Sequence, residues 1–298
     1  MDLVTAVITT HKRKPELVER ALKSILAQTY PNMEVIVVDD SPREYEYRNL
    51  VKETVGRYGV QYIAHDTCQG ACVARNTGLE AARGTFVAFL DDDDEWMPEK
   101  IEKQIACFSS QDIALVYCGS NVLDEKTGTQ YNWPLELNGG KIYDSLILGN
   151  YIGSTSFPLL RTEALRSIGG FDPLMQSAQD YDVWLRLAQN YEVSYIDEPL
   201  ATYHVHEGEQ ITRNYVKKIN GLERLNAKNA EYLMRNRKAR WIREIKIAPM
   251  YAGNRQIDKA LVKWAQAAVM CPEQVKENAR YLFQLVKLYL LNIKRYVK

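Results

Sequence analysis

Short apolar segments alternate with amphipathic ones along the first 120 residues. Leu3–Ile8, Glu34–Val38 and Thr85–Leu90 are apolar on both faces, as strands buried in a parallel sheet are. Between them, Pro15 opens a stretch whose apolar residues recur with helical period, and residues 70–83 predict a second helix. These repeated strand–helix units predict an α/β fold, with a mostly parallel twisted sheet and helices on both faces.

Weaker signals of the same kinds continue this pattern to the C-terminus. Two more strands are predicted at Gln61–Ala64 and Ile113–Tyr117. Two more helices are predicted, one beginning at Pro98 and one over Asp180–Gln189. Residues 191–205 predict a pair of strands. From residue 213 onward the pattern is helical, and it includes Ile257–Met270 and Ala279–Val297.

The charge distribution divides the chain near residue 212. The formal net charge is zero, from 38 basic and 38 acidic residues. Residues 1–212 hold 18 basic and 32 acidic side chains, whereas residues 213–298 hold 20 and 6. This asymmetry calls for separate interpretations of the two parts. No signal peptide, spanning helix or metal-ligand spacing among the five cysteines is visible, and we expect a cytoplasmic protein without a nucleic-acid partner.

Four consecutive aspartates, Asp91–Asp94, directly follow the strand that ends at Leu90. Residues two apart at a strand end point the same way, so Asp91 and Asp93 can share one hard cation. Such an ion completes its shell with substrate phosphates and water. The alternative is a solvated acidic loop that caps the helix beginning near Pro98. Because ligands bind beyond the carboxyl ends of parallel strands, the position of the cluster favours a binding site.

Thr9 and Asp40 follow two other strands and fall at the same edge of the predicted sheet. The Asp40 carboxylate can accept hydrogen bonds from a base or a ribose, and a polar strand terminus is the alternative. The loop after the first strand carries neither G-x-G-x-x-G nor G-x-x-x-x-G-K-[ST], which counts against a dinucleotide oxidoreductase and a P-loop. Arg75, in the helix over 70–83, is either a ligand for base or phosphate or a surface arginine.

A second acidic site begins the helix predicted from Asp180. Asp180 is either an N-terminal cap or a catalytic base. A helix N-terminus lowers a carboxyl pKa, whereas partial burial and a nearby diphosphate raise it, and the sequence does not decide between these effects. Farther on, His204 and His206 lie two apart on a predicted strand. They are polar strand residues or, in the case of His206, a ligand that completes a metal shell.

The order of these motifs resembles glycosyltransferase family 2, the nucleotide-sugar-dependent inverting enzymes with the A-type fold. The matching segments are the strand ending in Thr9-Thr10, Ser24–Pro31, Val37–Ser41, Gly70–Gly78, Phe89–Pro98, Ile168–Asp172, Gln179–Arg186 and Tyr203–His206. Each motif is weak alone, but the ordered series over residues 1–212 is specific. Processive members carry Q-x-x-R-W, and the nearest match, Arg237–Trp241, lacks the Gln. The resemblance therefore implies a non-processive enzyme.

The resemblance also implies a reaction and its partners. It implies a metal-dependent, inverting transfer of a sugar from a nucleotide diphosphate to an acceptor hydroxyl, in surface polysaccharide or glycolipid assembly. The implied donor is a UDP-sugar, on family frequency only, the acceptor is a glycan or a lipid-linked glycan, and the cofactor is Mn²⁺ or Mg²⁺. The catalytic domain spans 1–212, with nucleotide-sugar binding in about 1–95 and the acceptor side in about 96–212.

Carried onto this chain, the roles of the family fall on eight residues. Asp180 is the general base, and the cation is held by Asp93 and Asp91, with His206 as a further ligand. The nucleotide-binding residues are Thr9, Asp40, Arg75, Asp91 and Asp92. Two rival functions stay open. A sugar nucleotidyltransferase of related fold would need a glycine-rich basic first loop that is missing here, and retention of the three key acids argues against a non-catalytic nucleotide-binding relative.

The resemblance ends near residue 212, so the basic helical region 213–298 is interpreted on its own. Its last predicted helix is apolar but too short to span a membrane, and Lys294, Arg295 and Lys298 follow it. This composition suits an in-plane helix on an anionic membrane surface, on the inner face of the cell membrane. Docking of the helix on the catalytic domain, or on a second subunit in a homodimer, is the alternative.

Overall fold

The computed structural model describes residues 1–133, 136–205 and 214–294, with side chains up to residue 289. Its strands are β1 Val4–Thr10, β2 Met33–Asp39, β3 Gln61–Ala64, β4 Phe86–Asp91, β5 Glu95–Trp96, β6 Ile113–Asp124, β7 Gln130–Asn132, β8 Leu159–Arg161 and β9 Glu192–Val205. The helices that accompany them are α1 Pro15–Leu26, α2 Arg48–Gly56, α3 Ala71–Ala81, α4 Lys100–Ala106, α5 Tyr143–Leu146, α6 Thr162–Ser167 and α7 Gln179–Ala188.

The strands form one sheet in the order β3-β2-β1-β4-β8-β6-β9-β5, with β7 paired to β6. β1 runs parallel to β2 and β4, so that Thr10 pairs with Asp39 and Thr9 pairs with Asp91. β8 is antiparallel to both of its neighbours, β4 and β6. The parallel core of the sheet therefore brings the carboxyl ends of β1, β2 and β4 together at one edge.

Helices cover both faces of β1. The alternate residues Val4, Ala6 and Ile8 are buried in a core cluster that also holds residues of α1. Val7 points the other way, and a Cβ added to Gly78 of α3 would lie 2.3 Å from Val7 Cγ1. The glycine thus allows α3 to pack directly on the sheet. This arrangement confirms the predicted α/β fold.

Several elements differ from the sequence expectation. Residues 191–205 form one strand, β9, and not a pair, because β9 pairs with β6 along its length through register shifts that bend it. α2 was not predicted, since its apolar positions are few. The antiparallel β8 was also missed, because three residues carry no periodicity.

The chain forms two compact units. The sheet unit is Met1–Pro173 with Asp180–Glu207, and the helical unit is Leu174–Gln179 with Gly208–Lys298. The predicted boundary at residue 212 lies outside the described residues. The helices of the second unit are α8 Tyr215–Lys228, α9 Ala230–Arg235, α10 Arg237–Gly253, α11 Ile257–Met270 and α12 Val275–Lys294. Across the described part of the chain, no helix has the length and hydropathy needed to cross a bilayer.

Candidate functional site

The four consecutive aspartates separate into two buried and two partly exposed carboxylates. Asp92 and Asp94 are buried, whereas the side chains of Asp91 and Asp93 remain 29% and 14% exposed. β4 ends at Asp91, and Asp94 N donates to Asp91 O at 3.0 Å, which closes a turn. Strand alternation therefore does not set the direction of Asp93, because Asp93 lies in this turn beyond the strand.

Arg13, in the loop after β1, pairs with the acidic turn. Its Nε donates to Asp92 Oδ1 at 2.9 Å, and its Nη2 donates to Asp93 Oδ2 at 2.7 Å. Asp92 Oδ2 also accepts from His11 N at 3.4 Å. Burial raises the pKa of Asp92 to about 6, with the Arg13 charge opposing this rise. Asp92 therefore ties the first loop to the acidic turn, with its carboxylate directed into the protein.

Asp94 holds the same turn from inside. It is fully buried and accepts from Ser156 Oγ at 2.6 Å and from His204 N at 3.2 Å. Burial, together with repulsion from Asp91 and Asp93, keeps the pKa of Asp94 well above its ordinary value. Asp92 and Asp94 therefore anchor the turn from inside, and Asp91 and Asp93 remain partly exposed.

His204 is a buried structural residue, as one of the two sequence alternatives proposed. Its two ring nitrogens each lie 2.9 Å from a carboxylate oxygen, one of Glu95 and one of Glu125. Arg20 donates to Glu125 Oε1 at 3.0 Å, so that opposite charges alternate beneath the acidic turn. His206, the predicted further metal ligand, lies outside the described residues.

Asp91 is surrounded by donors from two other segments. Arg75 Nη2 donates to Asp91 Oδ1 at 2.8 Å, and Arg75 is buried with its guanidinium 5.5 Å from the centre of the Phe171 ring. The surface-arginine alternative is therefore wrong. Thr155 Oγ1 donates to Asp91 Oδ1 at 3.2 Å, and Ser154 Oγ donates to Asp91 Oδ2 at 3.3 Å. These contacts fix the direction of a partly exposed carboxylate.

Asp40 directly follows β2 and is buried in a set of hydrogen bonds. Its carboxylate accepts from Gln69 N at 2.8 Å and from Gly70 N at 2.7 Å, and His65 Nδ1 lies 2.7 Å from its Oδ1. Gly70 has φ +93°, a conformation that a side chain would disfavour. Burial alone would raise the pKa of Asp40, but these hydrogen bonds outweigh it and the pKa is lowered. Asp40 is therefore a fixed anion.

Cys68 and His11 lie beside Asp40. Cys68 Sγ donates to Asp40 Oδ2 at 3.3 Å, and His11 Nδ1 lies 2.9 Å from Asp40 O. One potential ligand atom from each of the three residues lies within 4.8 Å of the other two. Since protein donors already engage both Asp40 carboxylate oxygens, this group is better described as the rim of the Asp40 site.

Asp180 lies in the first turn of α7, as predicted. Its Oδ1 accepts from Tyr181 N at 2.7 Å, and Asn150 Nδ2 lies 3.4 Å from its Oδ2. Burial raises the pKa of Asp180 to about 6 against the helix hydrogen bond and the charge of Arg75, and the charge of Asp91 raises it too. Of the opposing effects on the pKa of Asp180 that the sequence left open, burial is therefore the largest.

Other motif residues support the fold around these groups. Asn76 Nδ2 donates to Phe171 O at 2.7 Å, and Phe171 N donates to Asn76 Oδ1 at 2.8 Å. Buried Asp182 accepts from Arg186 Nε at 2.9 Å, and Arg186 also donates to Gly170 O at 2.7 Å. These contacts hold the segment before α7 against α3, which carries Arg75.

The structure thus gathers most of the predicted residues at the carboxyl edge of β1, β2 and β4. Thr9 is paired in register with Asp91, and the charges of Arg75 and Asp91 act on Asp180. Several residues that contact these groups were not predicted from the sequence, and Arg13, His65 and Ser154 are examples. The first two follow β1 and β3 at this edge and were within reach of the same end-of-strand argument. Ser154 lies in an irregular segment without any pattern.

Comparison with known proteins gives one consistent result. Residues 5–169 match the family model described as "Glycosyl transferase family 2". The chain is 30% identical over 226 residues, 74% of its length and 83% of the relative, to an Escherichia coli protein named UDP-Glc:alpha-D-GlcNAc-diphosphoundecaprenol beta-1,3-glucosyltransferase WfaP.

Two solved structures share the fold. The S. aureus TarS 1–349 complex with UDP-GlcNAc has a TM-score of 0.67 and 17% identity, over 96% of this chain and 89% of that one. The mannosyltransferase PcManGT from Pyrobaculum calidifontis, in complex with GDP-Man and Mn²⁺, has a TM-score of 0.61 and 16% identity, over 98% of this chain and 88% of that one.

Proposed function

Because the chain belongs to glycosyl transferase family 2, we propose that it transfers a sugar from a nucleotide-diphosphate donor to an acceptor hydroxyl, with inversion at the anomeric carbon. The observation that carries the proposal is the position of three groups at one edge of the sheet. They are the fixed anion Asp40, the outward carboxylates Asp91 and Asp93, and the carboxyl group of Asp180, whose pKa is raised to about 6.

The donor nucleotide is proposed to lie along the carboxyl ends of β1, β2 and β4. The residues assigned to it are Thr9, Asp40, Arg75 and Asp91, with Asp92 acting indirectly because its buried carboxylate holds Arg13 and the first loop. Asp40 is charged, and the protein groups that donate to both of its carboxylate oxygens hold it in place beside the proposed nucleotide site. A UDP-sugar is the proposed donor, since the names of WfaP and the TarS complex both specify one.

A divalent cation, Mn²⁺ or Mg²⁺, fits the chemistry of Asp91 and Asp93. Both side chains are partly exposed and offer hard oxygen ligands, and a bound cation would take the place of the Arg13 guanidinium that lies 2.7 Å from Asp93. A cation held there would neutralise charge that develops on the departing diphosphate. His206 stays a proposed further ligand.

Asp180 is proposed as the general base. Its carboxylate accepts the proton of the acceptor hydroxyl as that oxygen attacks the anomeric carbon from the face opposite the diphosphate. A pKa of about 6 leaves it mostly deprotonated near pH 7 and a stronger base than an exposed aspartate. Asn150, 3.4 Å away, orients the carboxylate.

The acceptor is proposed to be a lipid-linked glycan of surface polysaccharide or glycolipid assembly. The name of WfaP specifies a diphosphoundecaprenol-linked sugar as the molecule that it glycosylates. Non-processive addition of one or a few sugars is proposed, because the nearest match to Q-x-x-R-W, Arg237–Trp241, lacks the Gln.

The decisive variant is Asp180→Asn. Turnover should fall about 10²–10⁴-fold, because the amide cannot accept the proton. Binding of UDP with Mn²⁺, measured by calorimetry, should stay unchanged. Asp66→Asn, at an exposed aspartate, is the matched control and should keep full turnover. Equal turnover in Asp180→Asn and wild type would remove the assigned base, and failure of every nucleoside diphosphate in a panel to bind with Mn²⁺ would remove the donor site.

A further inference from the structure

Two helices of the helical unit carry exposed apolar faces. On α11, Leu261, Val262 and Val269 are exposed, and Val269 is 82% exposed. On α12, Val275, Phe283 and Val286 are exposed. Single exposed apolar residues are ordinary, but two neighbouring packed helices with such faces mark an interaction surface.

The internal packing of the unit fixes which side of α12 faces outward. Leu285 is buried with residues of α10 and α11, and Asn278 accepts from Trp241 Nε1 at 3.0 Å and from Trp264 Nε1 at 2.8 Å. These contacts hold the Asn278 and Leu285 side of α12 inward. The exposed apolar residues therefore belong to a second side of a folded helix and are not a frayed core.

Basic residues border this apolar side. Lys276, Arg280 and Lys287 recur at intervals of four and seven residues and are exposed, so they form one line along α12. Phe283 lies three residues after Arg280 and four before Lys287, directly beside this line. Such a helix can bury apolar side chains at the acyl boundary while its basic groups reach the headgroups.

The net charge of residues 213–298 indicates which kind of partner binds the exposed residues of α11 and α12. Residues 213–298 hold 20 basic and 6 acidic side chains, so two copies of this surface would repel each other, whereas an anionic surface would attract it. We propose that the exposed face of α11 and α12 binds an anionic lipid bilayer in the plane of its headgroups. The proposal rests on the proposed function only in that a lipid-linked acceptor lies at such a surface.

The experiment is flotation of the full chain with vesicles of phosphatidylcholine, with and without phosphatidylglycerol. Wild type should bind the mixed vesicles, and added NaCl should weaken binding because it screens the basic line. Lys276→Gln/Arg280→Gln/Lys287→Gln should lower the partition coefficient about a hundredfold, at about fivefold for each cation removed. Phe283→Gln/Val286→Gln should lower it at least tenfold. Met234→Gln, an exposed apolar residue of α9, is the matched control and should change nothing.

Three outcomes would overturn the proposal: no binding to mixed vesicles by wild type, equal binding to neutral vesicles, or a dimer in light scattering that Phe283→Gln/Val286→Gln dissociates. The salt titration uses wild type alone, so a variant that fails to fold does not decide the question. Asp180→Asn should float like wild type. Loss of vesicle binding should leave transfer to a water-soluble acceptor intact, which separates this proposal from the catalytic one.

Discussion

A carboxylate serves as a base when it is both deprotonated and basic enough, and burial adjusts this balance at Asp180. Two opposing effects act on the side chain. The hydrogen bond from Tyr181 N lowers its pKa, as expected at a helix start. Burial raises the pKa by more than this hydrogen bond lowers it, and the pKa is about 6. Asp40 shows the opposite result, since its backbone hydrogen bonds outweigh burial. The pKa is therefore lowered at Asp40 and raised at Asp180, although both side chains are aspartates.

The pH profile should report this difference. If Asp180 is the base as proposed, its unprotonated form is the active one, and we expect kcat/KM to rise with pH and level off above an inflection near pH 6. Asn150→Ala removes a donor that stabilises the carboxylate, so its inflection should move to higher pH. Asn32→Ala, at a half-buried asparagine whose side chain donates to Met1 O, should keep the wild-type profile. Identical inflections for Asn150→Ala and wild type would remove the proposed role of Asn150.

At the scale of residues, the sequence predicted where the side chains lie better than it predicted their directions and pKa values. End-of-strand reasoning placed Thr9, Asp40 and Asp91 correctly, because the parallel strands carry strong apolar patterns. It could not show that Asp92 points inward to Arg13, since that depends on a turn that only the full fold defines. The pKa of Asp180 was equally beyond it, because burial is a tertiary property.

At the scale of elements, packing of α3 against the sheet decides the geometry of the site. α3 carries Arg75, Asn76 and Gly78, and each touches a different part of the sheet unit. The sequence located both α1 and α3, and the apolar residues of α1 recur with a regular helical period. It missed α2 and the short β8, whose few residues carry little pattern and whose placement depends on neighbouring strands.

Replacement of one glycine should test this contact. Gly78→Ala places a methyl group 2.3 Å from Val7 Cγ1, so the free energy of unfolding should fall by about 1–3 kcal/mol. Gly56→Ala, in α2 with nothing within 4 Å, is the matched control and should change stability little. Denaturant unfolding measures both, and an equal effect of the two substitutions would contradict close packing of α3 on β1.

At the scale of the whole molecule, the neutral total charge conceals two units with different compositions. The acidic part, residues 1–212, includes the proposed donor site, and the basic part, residues 213–298, includes α11 and α12 with their exposed apolar residues. Each unit has its own buried cluster of apolar residues. The sequence predicted a division near residue 212 from charge and helical pattern, but it could not show that Leu174–Gln179 belongs to the helical unit or which helix faces stay exposed.

Ligand binding should stabilise the units unequally. UDP with Mn²⁺ stabilises against local unfolding the part of the chain that binds it. Amide hydrogen exchange should therefore slow in peptides around residues 37–41, 69–78 and 86–94. Peptides of α11 and α12 should exchange at an unchanged rate. Asp180→Asn, which keeps the donor residues, should show the same protection. Equal slowing in both units would contradict a donor site confined to the sheet unit.

The pairing of Asn76 with the backbone of Phe171 has a consequence for biosynthesis. The two residues are 95 positions apart, and ribosomes add about 5–20 residues per second. The helix that carries Arg75 therefore emerges about 5–20 s before the segment that satisfies Asn76. During this interval the nascent chain holds the proposed donor-binding residues without the proposed base, and its exposed apolar surface is open to chaperones. Assembly of a working enzyme thus waits for Phe171 and the residues that follow it.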